Sequence, residues 1–148
     1  MVYAKFGKSI TPVLFIGMIG SVTCYLIAGL STNAVIALIA CALTGMFTSM
    51  LWPGALIFME EKLPGAGVAA YALMASGGDL GASIAPQLMG IVVDKVTISS
   101  FAADLATQTG LTAEQIGMKS GMLLTTAFPL IGIIALAVTV RYFKKKNI

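Results

Sequence analysis

The chain contains no histidine, and only 10% of its 148 residues are charged. Without an imidazole, a histidine-ligated metal site and a Ser-His nucleophile pair are excluded within this chain. Soluble domains carry about 25% charged residues. A fraction this low, beside 58% hydrophobic residues, excludes an ordinary water-soluble domain. Cysteine is scarce as well. Cys24 and Cys41 both lie inside apolar runs, so no disulfide framework is expected, and both read as small buried hydrophobes. No phosphate-binding glycine loop, no Cys-x-x-Cys pair and no paired catalytic carboxylates occur, so neither an enzyme nor a cofactor is expected. Glu60 and Glu61 are adjacent; on a helix they point apart, and they read as a solvated span end. The net charge is +3, but the basic residues flank apolar runs instead of forming a patch, which argues against nucleic acid as a partner.

What the chain does have is long apolar runs. No charged residue occurs between Lys8 and Glu60. That stretch is too long for one crossing, and it breaks at the polar turn Ser31-Thr32-Asn33. About 20 helical residues span ~30 Å of hydrocarbon. Spans are therefore predicted over residues 11–30, 34–59, 67–93 and 121–140. The fold class expected is all-α, a polytopic membrane protein of four transmembrane helices treated as one transmembrane region. The first run is longer than the apolar part of a signal peptide, and further spans follow it. Residues 96–118 are polar and predict an outer loop, with a short amphipathic helix over 100–107. Within it, Thr112 and Gln115 have the spacing of a capping box. Residues 141–148 form a basic tail.

Orientation follows from lysine and arginine. With the N-terminus cytoplasmic, Lys5, Lys8, Lys62, Arg141, Lys144, Lys145 and Lys146 fall inside, and Lys95 and Lys119 outside. This satisfies the positive-inside rule. The expectation is a multi-pass protein of the plasma or inner membrane with both termini cytoplasmic. Tyr142 and Phe143 would sit at headgroup level.

Asp79 is the most informative residue, near the middle of the third span. A central Asp costs roughly 2.5–3.5 kcal/mol on insertion scales and is usually aimed at a cavity, a partner or a proton path. At 100° per residue, Ser76, Asp79 and Ser83 fall within about 60° of one another, with Gln87 slightly further round. This stripe reads either as a substrate or proton pathway or as a structural hydrogen bond to a neighbouring helix. The opposite face carries Gly77, Gly81 and Ala85, a small-residue ladder that reads as helix packing. Pro53, Pro86 and Pro129 lie inside spans and are candidate kinks. Trp52, the single tryptophan, reads as a substrate-stacking residue or as an interfacial anchor. Met46, Met50 and Met59 read as apolar filler, and no metal site is expected.

The stretch containing "LWPGALIF" (51–58), "SGGDLGASIAPQLMG" (76–90) and "VVDK" (92–95) resembles the tenth and eleventh helices of the major facilitator superfamily, in its fucose-permease-like branch. "AKFGKSITP" (4–12) is similar to that family's loop into the ninth helix, and "LTAEQIGMKSGMLLTTAFPLIGI" (111–133) to its long outer loop and twelfth helix. The resemblance covers nearly the whole chain. It implies a partial major facilitator fold and a secondary active transporter, a permease moving a small solute such as a sugar or other metabolite with a coupled proton or sodium ion. By the same resemblance Trp52, Asp79 and Gln87 would line the cavity. Such sites form between two repeat halves, so the chain is expected to need N-terminal helices that it does not contain. Two other readings stand beside this one. The first is a free-standing oligomeric four-helix exporter, although those carry their key acid in the first span. The second is a non-transporting membrane scaffold with the Gly77–Gly81 ladder as its partner face.

Overall fold

The computed structural model describes residues 9–145, and its described elements are all α-helical. We label them α1 (Thr11–Leu30), α2 (Ala34–Ser49), α3 (Leu51–Lys62), α4 (Gly67–Thr97), α5 (Ser100–Thr109), α6 (Ala113–Thr125) and α7 (Ala127–Lys145). Three helical stretches are long and apolar enough to cross a membrane: Thr11–Leu30, Ala34–Lys62 and Ala113–Lys145. The expected fourth, α4, is long enough but falls short in apolarity. Asp79, Gln87, Asp94 and its glycines and serines dilute its hydrophobic residues. Among the described residues the chain is therefore all-α, with three stretches that qualify as spans by length and composition.

Local chemistry explains the boundaries. Ser31 is extended and ends α1, and Asn33 caps α2 by accepting from the amides of Val35 and Ile36. The second long stretch breaks at Met50, three residues before Pro53. Pro53 has no N–H for the Ser49 carbonyl, and its ring crowds that carbonyl. The last stretch breaks the same way at Thr126, three residues before Pro129. Pro86, in contrast, leaves α4 continuous from Gly67 to Thr97. The turn into α4 places Gly65 and Gly67 at φ of 77° and 76°, a region costly for a residue with a Cβ. Ser99 caps α5, which runs to Thr109 and closes on left-handed Gly110. The Thr112–Gln115 capping box is formed in both directions at the start of α6.

The helix α1 is the hub, in contact with α2, α3, α6 and α7. Its buried residues are Val13, Leu14, Gly17, Ser21, Cys24, Ala28 and Gly29, mostly small, so neighbouring backbones come close. A Cβ on Gly17 would lie 2.9 Å from the Phe47 carbonyl oxygen, and one on Gly20 would strike the Phe47 ring at 2.4 Å. The apolar core sits at one end, where Ile10, Val13, Leu14 and Leu136 pack with Phe15, Leu51 and Phe58. Cys24 is buried, but Cys41 is exposed, which corrects the expectation of two buried thiols.

Both ends of α1 are held by charge. At its start, Glu61 accepts hydrogen bonds from the Ile10 amide at 3.0 Å and from the Ser9 hydroxyl at 3.5 Å. At its end, the Lys119 ammonium donates to the carbonyls of Ser31 and Ala28. An anion at a helix N-terminus and a cation at its C-terminus both oppose the macrodipole favourably. Glu60 takes the other direction and accepts from the Tyr71 hydroxyl of α4 at 2.5 Å. The Glu60-Glu61 pair therefore ties three helices together, where a solvated span end was expected.

These contacts predict a stability hierarchy. Glu61→Ala removes a helix cap worth about 0.5–2 kcal/mol, whereas Glu61→Gln retains an acceptor and loses less. Lys119→Met removes charge-assisted bonds worth about 1.5–3 kcal/mol. Thermal unfolding in detergent should rank Lys119→Met and Glu61→Ala below Glu61→Gln, with Glu114→Gln, at the exposed start of α6, close to the unaltered chain.

Candidate functional site

The candidate site is built on α4 and the break between α2 and α3. Because α2 ends at Ser49, Trp52 opens the first turn of α3 and leans onto α4. A Cβ at Gly78 would lie 2.3 Å from the Trp52 ring. Gly78 is thus the glycine of α4 that permits close approach within this chain. The ladder expected to pack behaves differently: Gly77 and Gly81 have nothing within 4 Å of an added Cβ, and Ala85 is only half-buried.

Within the polar stripe, Ser76 donates to the Ala72 carbonyl and Ser83 to the Asp79 carbonyl at 2.8 Å. Both hydroxyls are satisfied inside their own helix and hold no neighbour. The Asp79 carboxylate and the Gln87 amide are exposed and make no hydrogen bond among the described residues. No residue of α4 is buried. Its companions include α6 and α5, Trp52 at Gly78, and Glu60 at Tyr71. Ser76, Asp79, Ser83 and Gln87 therefore share one open face, whereas Trp52 meets α4 at Gly78, about 100° around the helix from Asp79.

Among the described residues no three metal-binding side chains cluster. No family model, no curated protein and no solved structure matches the chain.

Several working residues were not anticipated. Gly117 and Gly121 form the ladder that does pack. A Cβ on Gly117 would meet Thr97 Oγ1 at 2.3 Å, and one on Gly121 would meet Val93 at 2.9 Å. Their i, i+4 spacing is as visible in sequence as that of Gly77 and Gly81. Only the opposing Met89, Val93 and Thr97 distinguish the two. Lys119 carried a signal too, being a lone cation among apolar residues at the start of a span.

Trp52 is the sole tryptophan, so its fluorescence reports the α3–α4 contact directly. Gly78→Val should overpack this contact at a cost of about 1–3 kcal/mol and raise quenching of Trp52 by acrylamide or brominated lipid. Gly77→Val, placed in open space, should leave both stability and quenching unchanged.

Proposed function

We propose that this chain forms part of a secondary active transporter, a permease of the major facilitator type that moves a small solute with a coupled proton or sodium ion. The observation that carries this reading is the Asp79 carboxylate, exposed and unpartnered midway along a 31-residue helix. In a bilayer such a group cannot rest against lipid at small cost, and it faces a cavity, a partner helix or an ion path. Here α4 enters as the fourth span. At 1.5 Å per residue it is about 46 Å long, enough to cross ~30 Å of hydrocarbon with residues to spare. Leu73, Leu80, Ile84 and Ile91 are 77%, 63%, 52% and 50% exposed, and their spacing puts them on one side of the helix. That apolar side fits lipid or another helix, and the polar stripe beside it fits a cavity. Helices outside this chain would supply the far wall, as expected for sites formed between two repeat halves.

The topology proposed is a multi-pass protein of the cell membrane with both termini cytoplasmic and residues 96–118 outside. In support, Ser9, Lys62 and Lys144 line one cavity at one end of the bundle. Lys119 sits with Ser31 at the other. Tyr142 and Phe143 pack edge to face with ring centroids 5.8 Å apart beside the basic residues. Lys5, Lys8 and Lys146 of the inner set lie outside the described residues. A second reading, a membrane scaffold, is favoured by one observation: the Gly77–Gly81 face is open and suits a tightly packed partner helix.

The two readings separate on Asp79→Asn and Gly77→Leu, tested in the native assembly reconstituted in liposomes. Transport predicts that Asp79→Asn lowers ion-coupled uptake by about 10–100-fold, the worth of one charge-assisted interaction, with assembly intact. Scaffolding predicts that Gly77→Leu dissolves the assembly and that Asp79→Asn changes nothing. Uptake with unaltered rate and pH dependence in Asp79→Asn would remove this residue from the mechanism.

A further inference from the structure

At the end of the bundle held by Glu61, the start of α1 and the ends of α3 and α7 border an open cavity of about 550 Å³. Its polar wall is Ser9, Thr11, Lys62 and Lys144, and its apolar wall includes Phe15 and Val140. Lys62 and Lys144, from the ends of different helices, thus line one space. Neither lysine forms an ion pair among the described residues. Of the nearby carboxylates, Glu61 caps the Ile10 amide and accepts from Ser9 at the edge of the cavity, and Glu60 accepts from Tyr71. Neither of them lines the cavity.

We infer that this cavity binds the phosphate of an anionic phospholipid, with Lys62 and Lys144 as its cationic clamp. The inference rests on the membrane character of the chain and not on transport. Charge and shape both select this occupant. The two cations and the Thr11 hydroxyl fit a phosphodiester, which accepts hydrogen bonds from them. Below them the surface turns apolar. Phe15 and Val140 line the floor, and Ile16 and Ile19 continue along α1 at 48% and 53% exposure. Acyl chains bury against such a surface, whereas a free phosphate or a soluble phosphate ester gains nothing from it. Basic pockets between spans at a membrane face are suited to anionic headgroups. Such a lipid would also bridge α3 to α7, helices that share the core around Leu136 through Ile57 and Phe58.

The test uses the full chain, purified in mild detergent, delipidated and titrated with phosphatidylglycerol or phosphatidylcholine, with retained lipid counted by native mass spectrometry. Phosphatidylglycerol should be held in preference to phosphatidylcholine. At roughly fivefold per lysine, Lys62→Gln and Lys144→Gln should each weaken it about fivefold, and the double substitution about 25-fold. The double arginine substitution should retain it. Arg141→Gln, an exposed cation outside the cavity, should have no effect. Should the double glutamine variant fail to fold, each single substitution tests the same clamp. Equal retention of both lipids, unaltered affinity in the glutamine variants, or an equal loss in Arg141→Gln would each overturn the site. Glycerol phosphate competing as well as the lipid would identify a free-anion site and overturn the lipid assignment. None of these readouts depends on uptake, so failure here leaves the transport proposal standing, and the reverse holds too.

Discussion

A helix carries about half a positive charge at its N-terminus and half a negative charge at its C-terminus. Both ends also leave backbone groups without partners. In this protein the helix for which exposed ends would cost most is α1, because four neighbours converge on it. Glu61 answers its N-terminus and Lys119 its C-terminus. The two residues come from different parts of the chain, α3 and α6. By satisfying α1 they also fix where those helices stand. The rest of the bundle inherits this arrangement, with α2 and α3 following one flank of α1, and α6 and α7 the other.

Small residues then decide how closely the helices approach. Gly17 and Gly20 let α1 reach Phe47, and Gly54 admits the Leu14 side chain. Gly117 and Gly121 let α6 lie against Val93 and Met89 of α4. In hydrocarbon, where apolar side chains gain little by meeting one another instead of lipid, this close backbone contact is a main source of helix association. The same logic explains why α4 is the outlier. Its own glycines at 77 and 81 meet nothing, and the opposite face, which carries Asp79, is exposed as well.

Proline punctuation was legible in part. Pro53 and Pro129 each lie three residues after a break, at Met50 and Thr126. Pro86 has the same chemistry and leaves its helix whole. Proline removes one hydrogen bond wherever it stands; whether the helix parts there depends on the neighbours. Capping was more reliable. The Thr112–Gln115 box, the Asn33 cap and the Ser99 cap are all closed by side chains within three residues, so sequence spacing alone specifies them. The polar stripe was legible as a spacing, but Trp52 meets α4 at Gly78, beside the small-residue face and away from the stripe.

Sequence by itself determined the long apolar helices that suggest a membrane, the all-α class, the position of most turns and the residue whose charge needs an explanation. These follow from composition and from interactions reaching no further than one helical turn. Tertiary structure decided the remainder. It showed that Glu60 and Glu61 bind two different helices, that the ladder in α6 packs while the ladder in α4 does not, and that α4 stands at the edge of the bundle with no buried residue. These outcomes depend on which surfaces meet. Contacts such as Ile10 with Glu61 join residues 51 positions apart, and no local period encodes which of two equivalent faces will find a partner.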